Sequence, residues 1–439
     1  MICYLEKFNN FCSLIHYSIN SGGDTLKKIF TYLWVVLSLS SSALYAGGFQ
    51  LNQHGAKASG MSGAFTAVAN DPSAVYWNPA GLSFIKGTHF MISSHFVTPS
   101  SSFRGISPAI DEYKVVKRTF YPSNFFASHS IDDNWAVGIG FTVPFGLGTK
   151  WDEDWVGRYL AVETELQIFT LTPTVSYKIT DALSVGAGFN FSFANVKIVQ
   201  KTPQTPFAGD AKINLDGKDR SAFGYSFGLM FKATEDLTLG ASFQSNINYD
   251  FSGSANSEGA QQLIDAKRLP VGDVIAKLKT PFNLAVGAAY NLNKDWLISA
   301  DFQYVGWSSY DSLKVDFVDP AYNDIASPRL YRNSFIIRFG TDYKLSDDFS
   351  IRGGLYYDRK PVEDDMVAPS LPETDRIGMT IGAEYSLMKN LSVRGSFLYI
   401  RGNELKVENS KQFIHGNTPF NGVYNINATV LSIGLLYSL

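Results

Sequence analysis

Residues 296–305 read WLISADFQYV, and their side chains alternate between two kinds along the whole stretch. The first set is apolar and consists of Trp296, Ile298, Ala300, Phe302 and Tyr304. The second set is more polar and consists of Leu297, Ser299, Asp301, Gln303 and Val305. A period of two residues predicts a β-strand with one apolar face. That face runs for about ten residues, the length that a tilted strand needs to cross a membrane.

The same alternation, with the same polarity, recurs in residues 183–193, 335–344 and 379–387. Six very short polar connections follow strands of this kind: 132–134, 180–182, 234–236, 293–295, 346–348 and 388–390. Each connection joins a descending strand to an ascending one. Six such turns, together with a first rising and a last falling strand, give 14 strands. An even number is expected of a closed single-chain barrel.

Long polar connections separate these hairpins, at residues 98–120, 145–163, 198–221, 250–280, 308–333, 359–375 and 402–427. Short turns on one side and long loops on the other are typical of bacterial outer-membrane barrels. Strands can satisfy their backbone groups in lipid only when the sheet closes on itself. The sequence therefore predicts an all-β fold, a 14-stranded antiparallel transmembrane β-barrel formed by residues 87–439.

Residues 1–46 have the layout of a leader followed by a secretory signal peptide. Two lysines, Lys27 and Lys28, precede an apolar run at 29–39, and small residues lead to a predicted cleavage site near Ala46. The apolar run is too short to span a bilayer as a helix. Both cysteines lie in this region, so the exported chain is expected to lack disulfides, thiol catalysis and cysteine-based zinc sites.

Residues 47–86 read GGFQLNQHGAKASGMSGAFTAVANDPSAVYWNPAGLSFIK and show no alternation. Small residues allow close packing, and Pro79 after Asn78 favours a turn. We interpret the stretch as a compact plug, or hatch, inside the barrel lumen. A linker rich in glycine and alanine is the alternative.

Charge and motif content exclude several classes of protein. The formal net charge is −3 and no basic stripe is present, which argues against a nucleic-acid partner. The histidines outside the leader are His54, His89, His95, His129 and His415. They show no metal-ligand spacing. We therefore predict no catalytic, cofactor-binding or metal-binding residues and no enzymatic activity. An outer-membrane lipid hydrolase and a general porin are the alternatives from other classes.

Several motifs resemble the FadL/TodX family of outer-membrane transporters for long-chain fatty acids and aromatic hydrocarbons. They are GFQLN at 48–52, NDPSAVYWNPAG at 70–81, PFGLGT at 144–149, WVGRY at 155–159, GWS at 306–308 and LPETDR at 371–376. The resemblance implies a 14-stranded barrel closed by an N-terminal hatch. It also implies a substrate groove between the long loops, an apolar pocket inside the barrel, and a lateral exit at an inward kink in the third strand.

The resemblance also suggests substrate-binding residues. Phe49 resembles the phenylalanine at the hatch tip, whose movement would open or close the inner pocket; the alternative is an aromatic side chain packed on the wall. Lys197 and Lys314 lie where the family has basic groups able to meet a carboxylate. Most lysines near strand ends are simply solvated, and an aromatic hydrocarbon would not need these charges.

Two further groups of residues are candidates for the passage of substrate. The hatch motif consists of Asn78, Pro79 and Ala80, which could anchor the hatch or take part in passage. The predicted kink in the third strand involves Gly138, Gly140 and Pro144. Proline cannot donate to a β-ladder and glycine weakens one, so a gap between neighbouring strands is plausible. A proline that merely closes the strand is the alternative.

The resulting functional prediction is a channel for passive uptake of long-chain fatty acids or related hydrophobic molecules, with aromatic hydrocarbons as the alternative substrates. Burial contributes about 0.8 kcal/mol per methylene, so an apolar path lowers the cost of crossing a polar lipopolysaccharide layer. The expected location is the outer membrane of a Gram-negative bacterium. The expected partners are hydrophobic small molecules, outer-membrane lipid, lipopolysaccharide and the barrel-assembly machinery. We expect a monomer.

Overall fold

The computed structural model of the protein describes residues 47–414 and 417–439. The predicted leader and signal peptide, residues 1–46, and His415 lie outside the described residues. Within the described ranges, no helix is both long enough and apolar enough to cross a membrane.

Strands dominate the described residues. The first eleven are β1 (Thr88–Gly105), β2 (Glu112–Lys114), β3 (Ser123–Ser130), β4 (Trp135–Lys150), β5 (Glu163–Lys178), β6 (Leu183–Pro203), β7 (Asp210–Lys232), β8 (Leu237–Gln244), β9 (Asn248–Glu258), β10 (Gly272–Lys279) and β11 (Asn283–Asn293). The others are β12 (Trp296–Val305), β13 (Ser312–Phe317), β14 (Ile325–Pro328), β15 (Ser334–Lys344), β16 (Phe349–Asp358), β17 (Arg376–Met388), β18 (Leu391–Gly402), β19 (Leu405–Val407), β20 (Phe413–Ile414), β21 (Thr418–Pro419) and β22 (Gly422–Ser438).

Helices are few and short in the part of the chain that the structure describes. They are α1 (Ala56–Gly60), α2 (Ala74–Trp77) and α3 (Gln261–Asp265), with 3-10 helices at Pro79–Phe84, Trp307–Ser309 and Asp364–Met366. Two of the α-helices and the first 3-10 helix lie in residues 47–86, which we call the N-terminal segment.

The wall of the barrel closes because β1 pairs with β3 on one side and with β22 on the other, both antiparallel. β8 and β9 together form one wall strand, interrupted at 245–247, and β10 and β11 form the next, interrupted at 280–282. In the part of the chain that the structure describes, fourteen antiparallel strands surround the lumen. The predicted strand number and the six short turns are confirmed.

The exposure of the side chains is inverted relative to a soluble protein. Apolar side chains such as Phe339 and Ile381 are 53% and 68% exposed on the outside. Polar side chains on the opposite face, such as Asp301 and Arg338, are 3% and 2% exposed. This arrangement suits a wall with lipid outside, and it confirms the outward orientation of the apolar faces.

Two of the long connections predicted from the sequence, 198–221 and 250–280, are largely strand in the structure. β6 and β7 pair up to Pro203 and Asp210, so most of the stretch 198–221 is strand. β9 and β10 likewise pair within the stretch 250–280. Beyond the lipid, strands no longer need an apolar outer face, and polar residues there continue the backbone ladder. Polarity alone was therefore a poor signal for where these strands end.

The buried polar face of the wall finds its partners in the N-terminal segment. Asp301 Oδ2 accepts hydrogen bonds from the backbone N–H groups of Phe65 (2.9 Å) and Thr66 (2.8 Å). Arg394 Nη1 forms an ion pair with Asp71 Oδ2 at 2.6 Å. Buried charges and polar groups are costly unless they are paired, so these contacts fix the segment against strands β12 and β18.

The turn at Asn78 also packs closely against the wall. The Asn78 Nδ2 group donates to the carbonyl oxygens of Thr66 (2.8 Å) and Leu229 (3.0 Å), and its Oδ1 accepts from the Ala80 N–H (3.2 Å). A Cβ atom added at Gly228 would collide with Asn78 Oδ1. The wall therefore carries glycine where this turn approaches it.

Ala80 and Pro79 extend that contact. The Ala80 carbonyl accepts hydrogen bonds from Ser176 Oγ at 3.1 Å and Ser184 Oγ at 2.8 Å. A Cβ atom at Gly186 would collide with the Pro79 carbonyl carbon. All three residues of the predicted hatch motif thus contact the wall, which favours the anchoring role.

We predict that Asn78→Ala loosens the N-terminal segment and raises ion conductance in planar bilayers. The substitution removes two donated hydrogen bonds, each worth about 0.5–1.5 kcal/mol net. Asn134→Ala, in an exposed short turn, is the matched control and should conduct like the wild type. Wild-type conductance of Asn78→Ala would contradict the anchoring role.

Candidate functional site

The third strand of the wall, β4, separates from its neighbour β3 halfway along its length. Regular pairing between β3 and β4 ends at Phe125 and Phe141. On the other side, the register of β4 against β5 shifts between Thr142 and Phe145. Pro144 lies within this bulge, which bends a strand and leaves residues out of the ladder. The remaining half of β4 therefore has no regular ladder to β3 on that edge.

The bent part of β4 pairs with the N-terminal segment. Leu51 N–H donates to the Pro144 carbonyl at 2.9 Å, and Gly146 N–H donates to the Phe49 carbonyl at 3.0 Å. Phe49 and Leu51 thus behave as a short strand added to the inward bulge, and they supply backbone partners that β3 does not.

Gly138 and Gly140 lie below the bulge, in the regularly paired part of β4. A Cβ atom added at either position would come within 2.8 or 2.9 Å of Val75 in the N-terminal segment. Their small size serves the contact with this segment. The predicted kink therefore falls at Pro144, while the two glycines make room for the N-terminal segment.

Two cavities adjoin this bend. The upper cavity, on the side of the long connections, has a volume of about 220 Å³ and a largely apolar lining that includes Leu160, Val196, Ile198, Leu215, Val274 and Val315. The lower cavity, at the bulge of β4, has a volume of about 460 Å³. The volume of the lower cavity falls within the range of sites for small hydrophobic ligands, and both cavities have the largely apolar lining of such sites.

The lower cavity extends from the lumen to the outer face of the wall. Its lining includes Leu51 and Tyr356 on the inside, and Phe141 and Phe169. By the alternation of β4 and β5, Phe141 and Phe169 belong to the outward set, and their rings stack with centroids 6.0 Å apart. The cavity therefore reaches the lipid-facing surface where β4 has separated from β3.

Phe49 lies between the two cavities and lines both of them, together with Leu147, Leu166 and Leu371. It is 4% exposed and packs edge-on against three aromatic rings, with centroid distances of 4.9 Å to Trp307, 5.5 Å to Tyr310 and 5.8 Å to Phe145. Its ring is the part of this boundary that the N-terminal segment supplies.

Neither predicted lysine lines a cavity. Lys197 Nζ is 2.9 Å from Glu163 Oε2, and Glu163 also accepts a hydrogen bond from Arg118 Nη1 at 3.0 Å. Lys314 is exposed on β13, opposite Lys277 of β10. The structure thus brings Phe49 and Pro144 to the cavities and leaves Lys197 and Lys314 outside them.

The charged residues that do line the lower cavity were not predicted. Arg376 Nη2 pairs with Asp358 Oδ2 at 2.8 Å, and Glu373 Oε2 accepts a hydrogen bond from the Gly48 N–H at 2.9 Å. Glu373 lies in the long connection after β16 and is 1% exposed. Burial raises the pKa of its carboxyl to about 7. The stretch 371–376 carried a family resemblance, but nothing in the sequence assigned these side chains to a site.

Comparison with known proteins agrees with this architecture. Residues 36–439 match the family model described as "Outer membrane protein transport protein (OMPP1/FadL/TodX)". The long-chain fatty acid transport protein of Salmonella typhi is 24% identical over 87% of this chain and 94% of its own length. Outer membrane protein P1 of Haemophilus influenzae is 24% identical over 92% and 98% of the two chains.

Solved structures show the same fold. The crystal structure of a Pseudomonas aeruginosa FadL homologue has a TM-score of 0.82 at 22% identity, covering 89% of this chain and all of that one. The Ralstonia pickettii toluene transporter TbuX has a TM-score of 0.70 at 19% identity, with coverage of 89% and 100%. Because the family model matches nearly the whole described chain, this protein belongs to the OMPP1/FadL/TodX family of outer-membrane transport proteins.

Proposed function

We propose that this protein is a passive channel of the outer membrane for long-chain fatty acids or related hydrophobic molecules. The observation that carries the proposal is the lower cavity, which extends from Phe49 in the lumen to the lipid-facing Phe141 and Phe169. A hydrophobic molecule that follows this path leaves sideways into the bilayer. It never enters the aqueous space below the barrel.

The N-terminal segment supports a lateral route because it is fixed across the direct one. Its ion pair between Asp71 and Arg394 is buried, with side chains 2% and 4% exposed. Breaking a buried pair is costly, so movement of the whole segment with each transported molecule is unfavourable. We propose that the segment is a hatch that stays in place, and that its tip at Phe49 is the moving part.

The two cavities can bind a hydrophobic chain in sequence without an energy source. The upper cavity removes apolar groups from water at a gain of about 0.8 kcal/mol per methylene. The lower cavity offers a similar environment, so transfer between them is close to neutral. Uptake then follows the concentration gradient, and neither cavity holds the ligand so tightly that release becomes slow.

Cavity size favours an acyl chain over a single aromatic ring. An apolar cavity of about 150 Å³ is sufficient to bind benzene. The lower cavity, at about 460 Å³, is roughly three times larger. Relatives in the comparison include both a fatty acid transport protein and toluene transporters. We therefore propose long-chain compounds as the preferred substrates and monoaromatic hydrocarbons as the second candidates. Uptake of labelled oleate and toluene by cells with and without the gene distinguishes the two.

We propose that the protein transports without chemical conversion. A hydrolase would need a base beside a nucleophile, with access for substrate. His95 lies 2.8 Å from Ser432 Oγ, but both side chains are fully buried, and the second ring nitrogen of His95 contacts the Asn124 amide instead of a carboxylate. A phospholipase assay on the purified protein tests the hydrolase alternative. Association with lipopolysaccharide and the barrel-assembly machinery, and the monomeric state, remain part of the proposal.

We predict that Phe49→Ala accelerates transfer of ligand from the upper to the lower cavity. Stopped-flow binding of a fluorescent fatty acid should show a fast phase for entry into the upper cavity and a slow phase for transfer to the lower one. The slow phase should become at least about tenfold faster in the variant, because the ring between the cavities is gone. Phe65→Ala truncates another buried phenylalanine of the same segment, at a similar cost of about 3–5 kcal/mol, and serves as the control. If both variants behave alike, Phe49 acts only through packing.

We predict that Val143→Trp blocks the lateral exit. Val143 lines the lower cavity within the bulge of β4, and a larger side chain there should lower oleate uptake by cells about tenfold. Binding of oleate to the purified protein should persist through the upper cavity. Val137→Trp, on the paired and lipid-facing part of the same strand, should leave uptake unchanged. Parallel loss of uptake and of all binding would count against a lateral exit.

A further inference from the structure

The polar end of the lower cavity carries more carboxyl groups than cations. Its charged lining residues are Asp358, Glu373, Arg376 and Glu165. Glu165 Oε1 already accepts a hydrogen bond from Arg118 Nη1 at 2.6 Å, so its charge is matched outside the cavity lining. The remaining two carboxyl groups share the single guanidinium of Arg376. The charges of Asp358, Glu373 and Arg376 therefore sum to zero when Glu373 is protonated and to a negative value when it is ionised.

Two buried polar atoms at this end have no hydrogen-bond partner among the described residues. They are Asp358 Oδ1, an acceptor, and Arg376 Nε, a donor. Buried polar groups are normally paired, so an unpaired donor and acceptor on residues lining one cavity mark a place for a polar ligand group. A hydroxyl or a protonated carboxyl can donate to one atom and accept from the other. A carboxylate can only accept.

We infer that the lower cavity binds its ligand through an uncharged head group that both donates and accepts a hydrogen bond, a hydroxyl or a protonated carboxyl, and disfavours a carboxylate. Glu373 is then the specificity-determining residue, since its ionisation sets the charge of the polar end. The inference rests on the proposed function, because it names the form of the ligand that occupies the same cavity.

Several charged or titratable groups face Glu373. The cations Arg376 and Lys360 favour its ionised form, whereas Asp358 and desolvation disfavour it. Tyr331 lies close by, and burial together with Glu373 raises the pKa of its phenol, so it stays neutral. The net result is a carboxyl pKa of about 7. Below that pH Glu373 is mostly neutral; above it the carboxylate repels an anionic head group.

Glu373 also accepts a hydrogen bond from the Gly48 N–H group, at the tip of the N-terminal segment. A test of its charge must therefore keep this hydrogen bond. Glutamine at position 373 keeps an oxygen that accepts from Gly48 N–H but carries no charge at any pH. Glu373→Gln therefore isolates the charge from the hydrogen bond. Glu408→Gln is a matched control, because Glu408 is exposed, pairs with Lys406 at 2.6 Å and lines neither cavity.

The test compares ligands of fixed charge. Binding of oleyl alcohol and of the sulfonate with the same chain is measured on the purified full-length protein at about pH 6 and about pH 8.5, on either side of the Glu373 pKa. The sulfonate is ionised at both values, so any pH effect comes from the protein. The same titrations in Leu215→Trp, which fills the upper cavity only, assign the signal to the lower cavity.

We expect oleyl alcohol to bind equally at both pH values and the sulfonate to bind about tenfold more weakly at the higher one. Glu373→Gln should abolish this pH effect, while Glu408→Gln should retain it. Sulfonate binding as tight as alcohol binding at the higher pH, or a pH effect that survives Glu373→Gln, would overturn the inference and leave the proposed function intact. No binding of either ligand would overturn the proposed function and this inference with it.

Discussion

Every backbone N–H and C=O group at the level of the membrane must find a partner within the protein, and this constraint shapes the whole molecule. It requires a sheet that closes on itself, which the pairing of β1 with β22 provides. It also limits where the wall can open. At the bulge of β4 the ladder to β3 is lost, and the backbone of residues 49–51 replaces part of it from inside. The lateral gap can exist because the N-terminal segment compensates the inner side of the bent strand.

The same segment resolves a second problem, the polar face inside the wall. Asp301 and Arg394 would be costly in an empty or apolar lumen, and they are paired with backbone and side-chain groups of residues 65–71. Polar contacts therefore hold the body of the segment, whereas its first residues, near Phe49, lie among aromatic rings. Contacts between aromatic rings are less directional than the hydrogen bonds and the ion pair that Asp301 and Arg394 form. A firmly held body and a more easily displaced tip follow from this difference in the kind of contact.

The parts of this structure that depend on local pattern could be predicted from the sequence. Alternation at 296–305 and in three similar segments, together with six short turns, was enough to specify the barrel, since one face in lipid leaves a strong signal. The features that the sequence did not specify depend on partners that are distant along the chain. The bulge at Pro144 is a register shift against β5, and no local property separates it from Gly140. Lys197 forms an ion pair with Glu163, which lies on the neighbouring strand β5.

The polar end of the lower cavity shows the same limit more sharply. Glu373 meets a backbone N–H that is 325 residues away in the chain, and its other neighbours come from the ends of two different strands. Loop composition was also misleading. Trp151 and Trp155 lie in a connection predicted to be polar, yet they stack with centroids 4.1 Å apart and are 1% and 2% exposed. Contacts of this kind are created by the tertiary fold and leave no periodic trace in the sequence.

The seam between the first and last strands has a consequence for biogenesis. Ala56 of the N-terminal segment touches both sides of it: its N–H lies 3.4 Å from Ser93 Oγ on β1, and a Cβ atom at Gly434 of β22 would lie 3.3 Å from the Ala56 methyl group. A folded N-terminal segment in such close contact with the wall is difficult to insert into a barrel that has already closed. We therefore expect the N-terminal segment to be in place before β1 and β22 pair, so that the barrel closes around it.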